Sequence, residues 1–352
     1  MSTVLKPPRL GAANTAARLA MIALTLGAIA IAITFAYLGR WLTPNELTPS
    51  RFVDGFEDVN GVHRGFRRFH SKGIGVSGFF ESNGNGVRLS KASVFQPGRV
   101  NVIGRFSLGN GHPDAADTPD TVLGLGLEFS LPSGELWRTT MINIPVFLFR
   151  TPEAFFEQMM ASKPDPTTGK PDPEKMQAFF ARHPESARAL KIIKSRKGTS
   201  GFADSPFHAL HAFRFVNAAG ASIPVRWVFQ PIEPPSTALG SKDYLFNSLV
   251  AHIQHKPLRW RLIVIVGQDG DPTNDATVAW PPEREQVDVG TLTIDNVESG
   301  DRGPSLDITF DPLVLPTGIA PSDDPLLSAR SAVYSQAYTR RAGETNPPSK
   351  GD

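Results

Sequence analysis

A histidine with arginines just before it and a glycine-rich strand just after can move protons beside a bound group. The stretch from Arg64 to Glu81, RGFRRFHSKGIGVSGFFE, has that composition. His70 follows Arg67 and Arg68, and Ile74, Val76 and Phe80, with Gly73, Gly75 and Gly78 interspersed, predict a strand over which a large flat group could lie. On this stretch alone two readings stand: a built site for proton transfer, or a surface histidine before an edge strand.

A second chemical group lies near the carboxyl end, in LLSARSAVYSQAYTRR. Arg330 precedes Tyr334 by four residues, so on a helix its guanidinium lies one turn from the phenol. Such a neighbour favours the phenolate and lowers a pKa that starts near about 10. A phenolate is one of the few side-chain groups able to hold haem iron. The chain has no cysteine, which excludes thiolate ligation, disulfides, thiol-based peroxidase chemistry and c-type haem attachment. Of the four tyrosines, Tyr37 lies in a long apolar run, Tyr244 on an amphipathic segment without a nearby arginine, and Tyr338 one turn beyond Tyr334. A third stretch, NIPVFLFRTPEAF at 143–155, puts large apolar residues before a Thr-Pro helix start.

FHSKG at 69–73, GRFS at 104–107, PVFLFRTPEAF at 145–155, FDPLVLPTGI at 310–319 and RSAVY at 330–334 together resemble the haem catalase family, in the family's order and near its spacing. The chain lacks room for the long carboxyl-terminal helical region of full catalases and is most similar to the short, membrane-anchored catalase-related peroxidases. The resemblance implies a peroxidase carrying haem b, which reduces organic hydroperoxides and hydrogen peroxide through a ferryl intermediate with electrons from an unidentified donor. In that picture His70 matches the distal acid–base residue and Tyr334 the iron ligand, with Arg330 keeping the phenolate ionised. Arg67, Arg105 and Arg341 match clamps on the haem propionates, Ser107 a hydrogen-bond partner of the distal histidine, and Phe155 a ring beside the distal face. The position of the family's distal asparagine falls on Ile142, with Asn143 one residue nearer Pro145 and, along a strand, facing the other way. Weak or no dismutation of hydrogen peroxide is therefore expected. Two further readings are a haem enzyme that rearranges fatty-acid hydroperoxides and a non-catalytic haem-binding barrel.

The elements needed to position these groups are legible at low resolution. Residues 19–39 form an uncharged apolar run long enough to cross a bilayer, preceded by a leader at 1–18. Lys6, Arg9 and Arg18 before the run, against Arg40 and Arg51 after it, favour a cytoplasmic amino end in a bacterial inner membrane and a periplasmic catalytic domain. That domain is expected over 44–341, with a helix starting at Pro44 and a disordered tail at 342–352. Strands are expected over 66–129, with a hairpin at the SNGNG turn, then over 137–149, 209–217, 224–230, 259–266 and 290–294; helices over 152–161, 174–195 and 241–254. Gly109 to Thr121 reads as a polar covering loop, and Arg105 is expected to meet a carboxylate. The fold class is thus α+β, a closed antiparallel β-barrel with surrounding helices behind one transmembrane helix. Neither His208 with His211 nor His252 with His255 has the carboxylate and third ligand of a known metal motif. A net charge of +2 gives no argument for nucleic acid, and a monomer or dimer is expected.

Overall fold

Strands whose apolar residues recur at every second position bury one face, and here the sheet they form closes on itself. The computed structural model describes residues 11–38, 46–118, 121–233, 242–298 and 303–344. The chain divides into two units, Met1–Thr48 and Pro49–Asp352. In the first, α1 (Gly11–Leu38) contains a 21-residue span, Ala17–Tyr37, that is long and apolar enough to cross a membrane.

The second unit is a barrel with helices around it. Its strands are β1 (Gly73–Ser82), β2 (Gly98–Leu108), β3 (Leu123–Ser130), β4 (Leu136–Ile142), β5 (Phe207–His208), β6 (Phe213–Val216), β7 (Ser222–Pro231), β8 (Leu258–Val266), β9 (Gln286–Val297) and β10 (Ile319–Pro321). The order β1-β2-β3-β4-β5-β7-β8-β9 returns to β1 through antiparallel pairs, closing eight strands, while β6 and β10 extend outward from β7. Closure leaves no open edge in the eight-stranded ring, and the one edge of the sheet among the described residues is the three-residue β10. The core is unusually aromatic: Trp137, Trp227, Trp260, Phe80, Phe106 and Phe129 are fully buried, and Phe129 stacks on Trp137 at 4.7 Å. The helices are α2 (Pro49–Asn60), α3 (Pro152–Ala161), α4 (Pro173–Arg182), α5 (Pro184–Ser195), α6 (Tyr244–His255) and α7 (Pro325–Ala342).

Several boundaries differ from the sequence reading, each for a local reason. The single helix expected over 174–195 is two, because Pro184 begins a new helix after His183. β4 stops at Ile142, and residues 143–149 run irregularly past Pro145, which cannot donate to a ladder. SNGNG makes no tight hairpin: left-handed Gly84 opens a short 3₁₀ turn, Asn85–Arg88, and the chain reaches β2 only at Gly98. Thr43 and Pro44 lie outside the described residues, and α2 begins at Pro49 instead. The loop at 109–118 is pinned rather than loose. Asp117 accepts from Lys72 Nζ at 2.7 Å and from the Leu245 N–H at the start of α6 at 2.8 Å. Residues 342–344, expected in a disordered tail, are held in place, since Glu344 is paired with Arg68 and accepts from the Gly65 N–H; residues 345–352 lie outside the described residues.

Candidate active site

A cavity of about 520 Å³ lies outside the barrel wall, lined by the segment before β1, by β2, β3 and β4, by the irregular run after β4, and by α3, α5 and α7. His70, Arg67, Arg105, Ser107, Phe155, Arg330, Tyr334 and Arg341 all line it, although they come from positions 67 to 341.

His70 is held by backbone and side chain together. Its φ is 56°, a left-handed conformation that costs a non-glycine residue of order 1–3 kcal/mol. Arg105 stabilises that turn from below, Nη1 donating to the His70 carbonyl at 2.8 Å and Nη2 to that of Ser71 at 2.9 Å. Among the described residues Arg105 therefore meets backbone carbonyls. The imidazole Nδ1 lies 3.0 Å from Ser107 Oγ on β2. Behind the ring is Gly124 of β3, where a Cβ would stand 3.0 Å from His70 Nδ1 and 2.9 Å from Ser107 Oγ. Burial, and then the charges of Arg105, Arg330 and Arg67, push the His70 pKa down to about 3. The ring is thus neutral across the physiological range.

Arg105 is also one of three guanidiniums, with Arg67 and Arg341, that gather on the cavity wall. Arg67 donates to the carbonyls of Ser305 at 3.1 Å and Ile308 at 2.8 Å and lies over the Phe310 ring, and Arg341 donates to the Leu306 carbonyl at 2.9 Å. Burial and then mutual repulsion lower the pKa of Arg67 well below its usual value, and burial with the charge of Arg341 brings Arg105 to about 10. All three are hydrogen-bonded to carbonyls, and none forms an ion pair among the described residues. Their charge is left for an anion.

Tyr334 stands on α7 one turn after Arg330, whose Nη2 donates to the phenol oxygen at 3.3 Å and to Thr140 Oγ1 on β4 at 2.8 Å. The start of α7 is fixed by Asp324, which caps it through the Leu326 N–H at 2.9 Å and takes a 2.7 Å bond from His211 Nδ1. Both side chains of that pair are sealed from solvent. Phe155, on α3, stacks on Phe149 at 4.7 Å and meets the edge of Phe52. Ile142 lines the cavity, while neighbouring Asn143 is buried with its Oδ1 accepting from the Leu123 N–H at 2.9 Å.

The strand expected to underlie a flat group lies away from the cavity. No residue of β1 lines the cavity: Gly75 makes room for Glu298 and Ser305, and Gly78 for the β9 backbone at a bulge. β3 reaches the cavity through Gly124 and Gly126, whose missing side chains seat the His70–Ser107 pair and the Phe310 ring, and the Gly-x-Gly alternation of LGLGLEF was the available signal. Leu210, the only described non-glycine residue besides His70 with positive φ, also lines the cavity and had no sequence signal. His208 and His211 do not form a pair; His208 lies on β5 and burial lowers its pKa to about 4. Among the described residues no cluster of three or more metal-binding side chains exists.

The same combination of fold and sequence is found in known proteins. A catalase-related peroxidase from Synechococcus elongatus is 35% identical over 326 residues, covering 91% of this chain and 96% of that one. A catalase-related peroxidase from Mycolicibacterium paratuberculosis is 31% identical, covering 84% of this chain and 96% of its own length. A catalase from Pseudomonas syringae pv. syringae is 31% identical, and there the match spans only 58% of the longer protein. Among solved structures, a fungal catalase superposes with a TM-score of 0.72 at 20% identity, over 79% of this chain and 59% of that one. A bacterial catalase gives a TM-score of 0.71 at 23% identity, over 85% and 62%. The pattern that defines the catalases runs from residue 64 to residue 347, through the barrel, the imidazole and the phenol alike, and the chain belongs to the catalase family.

Proposed function

We propose that the chain is a haem peroxidase that reduces organic hydroperoxides and hydrogen peroxide, with little dismutation of the latter. The observation that carries this reading is the meeting, in one cavity, of a clamped neutral imidazole, an arginine-backed phenol and three guanidiniums without carboxylate partners. The family normally binds haem, and these donors fit haem b. Tyr334 would hold the iron, Arg330 presenting a charge-assisted donor to the ligand oxygen. Arg67, Arg105 and Arg341 would take the propionates, and Phe155 would pack beside the ring.

Haem, when bound, would supply the redox-active iron that accepts the two oxidising equivalents of the peroxide. The chain's own part is the proton. With Nδ1–H donating to Ser107 Oγ, His70 Nε2 keeps its lone pair, accepts the hydroperoxide proton and returns it to the departing oxygen, which leaves as alcohol or water. General acid–base help of this type is worth about 10²–10⁴ in rate. Weak dismutation is supported by the names of the two catalase-related relatives and by apolar Ile142 on the cavity wall. The test is turnover of cumene hydroperoxide with an aromatic donor, beside oxygen release from hydrogen peroxide. The reading predicts donor oxidation lost in His70→Ala; oxygen evolution at catalase rates would defeat the preference for peroxidase.

We also read α1 as a membrane anchor that holds the Pro49–Asp352 unit on the periplasmic side of a bacterial inner membrane. Its support is the length of the apolar span and the excess of basic residues before it.

A further inference from the structure

A peroxidase needs a place where reducing equivalents enter, and the acid–base residues and the iron ligand do not provide one. Tyr338 lies one turn beyond Tyr334 on α7, so about 5–6 Å separates the two Cβ atoms. It lines the same cavity, yet it is 38% exposed, which makes it an oxidisable ring that faces both the site and solvent. The other candidates fail on position. Tyr244 does not line the cavity, no tryptophan does among the described residues, and Trp137, Trp227 and Trp260 are sealed in the barrel core. The Arg341 guanidinium lies 5.5 Å from the Tyr338 ring centroid, so a donor meeting this face finds an aromatic surface beside a cation.

We propose that Tyr338 is the electron-relay residue of this enzyme, and that its exposed face receives a small phenol or aromatic amine as reductant. The inference rests on the peroxidase reading above. Reducing one hydroperoxide to alcohol and water takes two electrons and two protons. For each electron, Tyr338 gives up one electron to the peroxide-oxidised site and its phenolic proton to water, and becomes a neutral phenoxyl radical. The aromatic donor then restores it with one electron and one proton and leaves as its own radical. Two rounds match one peroxide.

The experiment uses the haem-loaded full chain pulsed with cumene hydroperoxide in the presence of a nitroso spin trap, followed by peptide mass spectrometry, alongside guaiacol oxidation. The expected result is a trap adduct on the peptide holding Tyr338, lost in Tyr338→Phe. Guaiacol oxidation falls about tenfold or more in that variant and is regained in Tyr338→Trp, which restores an oxidisable ring. Wild-type protein that consumes peroxide while Tyr338→Phe matches it in adduct and guaiacol rate would overturn this inference alone. Wild-type protein that does not react with peroxide would overturn it together with the peroxidase reading.

Discussion

The most informative residue is His70, whose environment fixes both its charge and its direction. Because its pKa is pushed down to about 3, the base form is present throughout neutral and mildly acid solution. The kcat/KM for hydroperoxide is expected to be flat between about pH 5 and 8, and a fall-off with a midpoint near about 6.5 would contradict the burial argument. The same depression has a sign for stability. The unfolded chain takes up a proton at His70 and His208 below about pH 6.5 while the folded chain does not, so their contribution is full above that value and is lost as pH falls. A lower urea midpoint at pH 5 than at pH 7 is the expected reading. Gly124→Ala tests position independently of charge. Its methyl group would press on the imidazole and on Ser107, so hydroperoxide turnover should fall about 10²-fold or more, with far-ultraviolet circular dichroism unchanged. His70, Ser107 and Phe155 were legible in the sequence because each sits in a short motif. Gly124 was not, since its role depends on the β2–β3 register that sets it against Ser107.

At the scale of elements, α7 has the most to hold in place, and its start depends on a residue far from the chemistry. Asp324 caps the helix and partners His211, across 113 positions of sequence. Asp324→Ala removes a cap worth about 0.5–2 kcal/mol and leaves a buried ring nitrogen unpaired at a further cost of about 1–3 kcal/mol. Asp324→Asn keeps the cap and should lose less; equal urea midpoints for the two would mean that the cap contributes nothing. The far end of α7 is laced to α2, with Arg340 bonded to Asp54 at 2.6 Å and to Glu57 at 3.1 Å. The helix itself was not predicted in extent, only as the setting of Arg330 and Tyr334, because its low amphipathicity blurs its ends. The irregular run after β4 escaped a periodicity reading for a related reason: it is apolar on every side, facing the cavity through Phe147 and Leu148 and other core residues through Val146.

For the whole molecule, the closed antiparallel barrel followed from the succession of apolar segments, whereas the pairing of β5 and β7 across the β6 excursion could not be read from spacing. The apolar run of α1 stood out in the sequence because it is uncharged over a length that no strand of the barrel reaches. Full-length protein should sediment with membranes and resist carbonate extraction, while a chain starting at Pro49 should remain in the soluble fraction. Carbonate release of the full-length protein would remove the anchor from the account. The central claim, that one cavity holds haem with the iron on Tyr334 and the proton acceptor at His70, is tested most directly by the visible spectrum of the haem-loaded protein and two variants. The account predicts a ferric tyrosinate spectrum in the wild type, the same spectrum without peroxide reactivity in His70→Ala, and its loss in Tyr334→Phe. An unchanged spectrum in Tyr334→Phe would contradict it.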